Sequence, residues 1–238
     1  MATSRAVAPS RRPLRGLRRV TELEIALASG APDVQLPHHN DAGAAPMLTL
    51  YFAPGASSMA VHIALHEIGT GFEAHPMSFK RNDMRAPGYL ALNPEGKVPT
   101  LLIDGRPLTE VAAILFYLAR RYPEAELLPR DDIEAEAQAL SWMSLIASTL
   151  HPARARGLDH AKTVWGVADR RLGHGWAIGS YSVADIHLFR LYWRLANSLK
   201  LPPETFPNLM AHYEKMMARP AVQKTIEIES EVGYELPA

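Results

Sequence analysis

The 238 residues carry 25 basic and 25 acidic side chains, a formal net charge of zero, so there is no whole-molecule attraction toward nucleic acid or an anionic membrane. Apolar residues make up 47%, an ordinary share for a globular protein with a real core, and no apolar run approaches the ~20 residues of a spanning helix. Cysteine is absent, which excludes disulfides, thiolate metal sites and a cysteine nucleophile.

Residues 1–46 read differently from the rest. The first 20 contain six arginines and no acid, and the segment then drifts through Thr21–Ser29 into Gly, Ala, Pro, Asp and His. It offers little to bury against the ordering entropy, so a disordered extension is expected. An acid-free, Arg- and Ser-bearing start also suits an organelle transit peptide, and Met47 is the alternative start.

From Met47 the pattern sharpens. Leu48 to Phe52 is a β-rich run, expected as a central strand. Ala53-Pro54-Gly55-Ala56 is a turn, and Ser57 or Ser58 is placed to cap a helix from Met59 to Ile68 that Gly69 ends. Phe72 to Met77 reads as a second strand. Ser78 to Leu92 is a basic loop with Lys80, Arg81 and Arg85 and an irregular helix after Pro87. Val98-Pro99 is an extended X-Pro step. Thr100 to Ile103 has strand length, and Asp104-Gly105 is a type I′ hairpin signal. Arg106-Pro107-Leu108 gives a return strand, with Pro107 tolerable only at an edge. Thr109 is placed to cap a helix that opens on Glu110, and Val111 to Ala119 is apolar almost all round, so it should be buried on more than one side.

Residues 124–130 read as a linker, and residues 131–229 as helical throughout. Ile133 to Leu150 is long and amphipathic and is interrupted at His151-Pro152. Leu158 to Leu172 is a further helix. Ser182-Val183-Ala184-Asp185 is a capping box in its shorter Asp form. The helix behind it, rich in Leu, Phe, Tyr and Trp, should form the core of this domain. Pro207 to Ala218 and Ala221 to Glu229 close the fold, leaving residues 230–238 as a tail.

The proline loop, hairpin and buried helix of NPEGKVPTLLIDGRPLTEVAAILFYLARRYP resemble the second half of the glutathione-binding domain of glutathione transferases. Tyr51-x-x-Pro54-Gly55-Ala56-Ser57-Ser58 resembles the start of the bacterial beta-class members, and the Ser-x-x-Asp box resembles that of their helical domain. The resemblance runs from about Met47 to about Ala221. It implies a thioredoxin-like domain over residues 47–123, ordered β-α-β-α-β-β-α, followed by an all-helical domain over residues 131–229. It further implies a cytoplasmic homodimer that detoxifies small electrophiles with glutathione as co-substrate, and uses no metal, nucleic acid or membrane partner. A glutathione-dependent isomerase or dehalogenase, and a non-catalytic binding protein of the same fold, are the alternatives.

The resemblance also assigns roles. Val98 and a cis Pro99 would pair with the tripeptide backbone, and Glu110 and Val111 would hold its γ-glutamyl end. Lys97 or a basic residue of the 80–85 loop would meet the glycine carboxylate, and His151 stands where beta-class members carry an active-site histidine. Two positions depart from the family. Ser57 occupies the place of the beta-class cysteine, so the resemblance favours a hydroxyl, Ser57 or Tyr51, as the thiol partner; the alternative is that both serines only cap the helix. Val111 replaces the usual Ser or Thr and keeps only its backbone amide, a loss of ~1.5–3 kcal/mol toward a charged ligand group. His62 and His66, four apart on one helix without a third ligand, read as surface residues.

Overall fold

A computed structural model describes residues 45–199 and 201–235. The expected disorder of residues 1–46 therefore falls almost wholly outside the described residues.

Four strands form one sheet in the order β2-β1-β3-β4, with β1 Leu48–Phe52, β2 Glu73–Pro76, β3 Thr100–Ile103 and β4 Arg106–Thr109. β1 runs parallel to β2 and antiparallel to β3, and β3 pairs antiparallel with β4. The β3–β4 turn has Asp104 at φ 50° and Gly105 at φ 78°, the two positive angles that a type I′ turn needs. Pro107 lies on the edge strand, where its missing N–H costs no ladder bond.

Leu48, Leu50 and Phe52 alternate onto one face of the sheet and are buried. Helices α1 (Ser58–Ile68) and α3 (Val111–Arg121) belong to the same core, joined there by Ile63, Ile114 and Leu118. The short α2 (Pro87–Leu92) supplies Tyr89 to a smaller cluster with Met77 and Met84. The α3 expectation holds, since this helix packs against α1, α4 (Ile133–Leu145) and α6 (Val183–Leu199).

The remainder is helical: α4, α5 (Leu158–Leu172), α6, α7 (Pro207–Met217) and α8 (Pro220–Val232). α4 does not continue unbroken to Leu150; Ile146–Leu150 winds as a π-turn, and Pro152–Arg156 follows as a 3₁₀ segment. The π-turn brings His151 to the cavity described below, a use to which such local unwinding is often put. The capping box is present, with the Asp185 carboxylate accepting from the Ser182 N–H at 2.9 Å. The same buried carboxylate also accepts from the Ala177 N–H at 2.7 Å and from His212 Nε2 at 3.1 Å.

Several expectations are corrected. Thr109 does not cap α3; it ends β4, and Glu110 is the cap residue, at φ 68° and ψ 121°. The stretch read as a linker keeps its place between α3 and α4, and it is packed: Leu127 and Leu128 are buried, and the Leu127 carbonyl accepts from Val183 N–H at 2.8 Å. The tail begins later than expected, because α8 runs to Val232 and Glu235 then accepts from Ser78 Oγ at 2.8 Å. His62 is not a surface residue. It is 1% exposed and its Nδ1 lies 3.0 Å from Glu229 Oε1, because α8 packs across the face of α1 that carries it.

Candidate active site

The turn Ala53–Ala56 delivers the chain from β1 into α1, and three buried groups fix it. Ser58 Oγ accepts from the Ala53 N–H at 3.1 Å and donates to the Ala53 carbonyl at 3.2 Å. Glu229, from α8, accepts the Gly55 N–H at 2.6 Å. Arg190, from α6, donates Nη2 to the Gly55 carbonyl at 2.7 Å and Nε to the Ala56 carbonyl at 2.9 Å. Ser58 is therefore occupied with the turn. Ser57, the next residue after Ala56, uses its side chain for no cap and lines the cavities at the start of α1.

A second loop, Asn93 to Pro99, faces it. Asn93 Nδ2 donates to the Lys97 carbonyl at 2.8 Å and to Thr100 Oγ1 at 3.1 Å, while its Oδ1 accepts the Glu95 N–H at 3.1 Å. The Tyr89 hydroxyl meets the same carbonyl and the same threonine. Gly96 sits at φ 61° where an added Cβ would come within 2.7 Å of the Met84 carbonyl, so this position admits only glycine. The loop ends in a cis Val98-Pro99 bond.

Two cavities meet between these loops. The smaller, about 280 Å³, is lined by Pro99, Glu110, Val111 and His187 among others. The larger, about 450 Å³, is lined by Phe79, Met84, Trp165 and Leu191, and by Arg154, Arg190 and Arg194. Ser57, Lys97, Val98 and His151 line both and so mark their junction. A ligand in the small cavity with a reactive atom at Ser57 can present that atom to a second molecule in the large one.

The structure thus gathers Ser57, Lys97, Val98, Pro99, Glu110, Val111 and His151 around one small cavity. Tyr51 is not among them. Strand alternation turns it away from the face of Leu50 and Phe52, and its ring stacks on His75 at 5.2 Å and tilts against Tyr89 at 5.5 Å. Lys80, Arg81 and Arg85 do not line the small cavity; Arg81 is bound to Asp83 at 2.7 Å, and Arg85 Nη1 donates to the Glu95 carbonyl of the facing loop at 3.3 Å.

Charge in the site is mainly basic. Lys97 Nζ donates to Glu95 at 2.7 Å. Burial, then Arg190 and Lys97, lower the pKa of His151. His187 lies wholly inside, its Nδ1 without a partner, and burial followed by Arg190 and His151 lowers its pKa to about 3. Both rings are therefore neutral near pH 7. Glu110 carries a positive φ, a strained backbone conformation for a residue with a Cβ that costs of order 1–3 kcal/mol and is typical of ligand-holding positions.

Sequence reasoning missed Arg154, Arg190, Arg194 and His187. The signal for two of them is local: Arg190 and Arg194 interrupt the apolar run Leu188 to Ala196, and charges one turn apart on a core helix must face something polar.

Comparison with known proteins places the chain among its relatives. The family model "Glutathione S-transferase, N-terminal domain" matches residues 46–120, and "Glutathione S-transferase, C-terminal domain" matches residues 145–220. The chain is 30% identical over 203 residues to glutathione S-transferase GstA of Escherichia coli O157:H7, covering 76% of this chain and 98% of that relative. It is 28% identical over 193 residues to a maleylacetoacetate isomerase of Pseudomonas aeruginosa, covering 71% and 90% respectively. Among solved structures, a glutathione transferase homologue from Sulfitobacter with bound glutathione superposes with a TM-score of 0.68 at 32% identity, covering 76% of this chain and 98% of that one.

Proposed function

This chain belongs to the glutathione S-transferase family, and we propose that it joins the glutathione thiolate to small electrophiles, with the small cavity as its glutathione site and Ser57 as the thiol partner. The single observation that carries this reading is the position of Ser57 at the junction of the two cavities, beside the start of α1.

A thiol of pKa ~8.5 must drop by ~2 units to be mostly ionised at neutral pH, which requires about 2.7 kcal/mol of preferential anion stabilisation. One hydrogen bond to a charged group supplies ~1.5–3 kcal/mol and a helix N-terminus ~0.3–1. The Ser57 hydroxyl and the start of α1 together meet that requirement. Val98 pairs with the tripeptide backbone, Glu110 receives the γ-glutamyl ammonium, and the Val111 amide faces the γ-glutamyl carboxylate. Lys97 and His151 stand near the glycine end and the sulfur. In the reaction the thiolate sulfur attacks the electrophilic carbon, the new C–S bond forms, and the leaving group departs with the electron pair of the bond it leaves.

The match to a maleylacetoacetate isomerase supports a second reading, in which the same thiolate adds to a double bond and is later expelled. We further propose that the protein is a cytoplasmic homodimer with a detoxifying role. No described helix is long and apolar enough to cross a membrane. Steady-state kinetics with glutathione and an aryl halide test the first reading: saturable, glutathione-dependent release of halide is expected, and a rate no greater than the uncatalysed one overturns it.

A further inference from the structure

The loop after β2 brings Phe79 to the large cavity, and the chain beyond α8 holds that loop. Met77 and Met84 bury at its two ends, in the small cluster with Tyr89. Between them the loop closes on itself. The Ser78 N–H donates to the Asp83 carboxylate at 2.8 Å, the Asp83 N–H to the Ser78 carbonyl at 3.1 Å, and the Arg81 N–H to Ser78 Oγ at 3.1 Å. These bonds shape the loop but do not set its attitude toward the cavity. Burial does not fully fix Phe79 either, since its side chain is left 38% exposed.

A long-range hold comes from Glu235, 157 positions after Ser78. Beyond α8 the chain turns at Gly233, and the Tyr234 ring packs 5.5 Å from that of Trp193 on α6. Glu235 Oε2 then accepts from Ser78 Oγ at 2.8 Å and from the Lys80 N–H at 3.1 Å. One carboxylate oxygen thus grips the residues on both sides of Phe79. The Lys80 amide, then the Ser78 hydroxyl, hold the Glu235 carboxyl below the usual carboxylate range, so it is ionised near pH 7 and the bonds it accepts are charge-assisted. The grip starts from a fixed base, because α8 is tied through Glu229 to Gly55 and His62.

We propose that Glu235 is a positioning residue for the second substrate: by holding Ser78 and Lys80 it keeps Phe79 against the molecule in the large cavity, and so sets the affinity for an apolar electrophile. This rests on the transferase reading above for the identity of that molecule, and on the contacts of Glu235 for the positioning. No residue from Ser78 to Arg85 lines the small cavity, so glutathione binding is insensitive to this hold. The two ends of the active site are then served by one segment: Glu229 fixes the turn before Ser57, and Glu235 fixes the loop that carries Phe79.

The test uses the full chain, 1-chloro-2,4-dinitrobenzene as electrophile, and Glu235→Ala. KM for the electrophile should rise by about three- to tenfold, the order of one lost hydrogen bond, while KM for glutathione stays within about twofold. Glu235→Gln, which keeps an acceptor oxygen, should restore part of the loss. Trypsin should cut after Lys80 or Arg81 more quickly in Glu235→Ala than in the parent, reporting the freed loop. Phe79→Ala should raise the same KM, and adding Glu235→Ala to it should change little more, because both substitutions remove one contact. An unmoved electrophile KM, an equal rise in KM for glutathione, equal cleavage by trypsin, or full additivity of the two substitutions overturns the proposal. Quenching of tryptophan fluorescence by the unreactive 1,3-dinitrobenzene, with Trp165 lining the cavity, separates this proposal from the transferase reading. If no chloride is released but Glu235→Ala still weakens 1,3-dinitrobenzene by about threefold, only the transferase reading fails; if its affinity is the same in both proteins, the positioning role fails.

Discussion

Glu229 lies 174 positions after Gly55, yet its carboxylate accepts the Gly55 N–H at 2.6 Å. The same carboxylate meets His62 Nδ1 at 3.0 Å, with both side chains almost fully buried. α8 thus holds the turn that sets Ser57, and Arg190 holds the same turn through its carbonyls. Removing the carboxylate leaves two buried donors unpaired at about 1–3 kcal/mol each. Glu229→Ala should therefore destabilise by roughly 2–5 kcal/mol in urea unfolding and lower kcat along with stability. Glu229→Gln, which keeps an oxygen for Gly55, should recover part of both. A Glu229→Ala midpoint equal to that of the parent would contradict the role given to this contact.

Asp185 makes a stronger claim than a helix cap alone. A capping residue contributes ~0.5–2 kcal/mol, but this fully buried carboxylate also serves the Ala177 N–H and His212 Nε2. Asp185→Ala should cost about 3–5 kcal/mol, the range for breaking a buried polar network. Thermal or urea unfolding measures it, and a loss below about 1 kcal/mol would reduce Asp185 to an ordinary cap.

The buried His187 makes stability depend on pH in one direction. Its folded pKa, about 3, lies below the ordinary 6.5, so between these values the unfolded chain binds the extra proton. The stabilisation is fully present above pH 6.5 and is lost progressively as pH falls toward 3. His66, lowered to about 4 chiefly by burial, acts in the same direction with a smaller weight because it is half-exposed. His187→Phe should flatten the fall in urea midpoint between neutral pH and pH 5. A fall as steep in the variant as in the parent would rule out His187 as a source.

Val111 opens α3 and lines the small cavity without a hydroxyl. A serine there would meet the γ-glutamyl carboxylate at a helix start, where an anion is already favoured. Val111→Ser, or the sterically closer Val111→Thr, should tighten glutathione by about 1–2 kcal/mol in calorimetric titration. Glu110→Ala in either background should abolish it. Equal binding by all three forms at position 111 would mean that the carboxylate is held elsewhere.

Local signals made much of the fold legible. Asp104-Gly105, the edge Pro107, the Gly69 stop and the Ser182–Asp185 box each act within a few residues, and all four stand as read. What the sequence did not display are meetings across distance. His62 reads as a surface histidine until α8 is laid over it, and Ser58 reads as a cap until the Ala53 backbone takes its hydroxyl. Tyr51 alternates to the face opposite Leu50 and Phe52, where it packs beside Val98 on the Met77, Met84 and Tyr89 cluster, a neighbourhood set by residues far away in the sequence. The large cavity needs the 3₁₀ segment and α6 side by side, which no local pattern announces.

Ser57 carries the chemistry proposed for this site, and the pKa of the bound thiol reports on it directly. Titration of the ultraviolet thiolate absorbance of the glutathione complex against pH, for the parent and for Ser57→Ala, is the decisive measurement. The parent complex should titrate ~2 units below the free thiol, and the variant should return ~1–2 units of that shift while still binding glutathione. The same low pKa in both proteins would contradict the assignment of Ser57 as the residue that holds the thiolate.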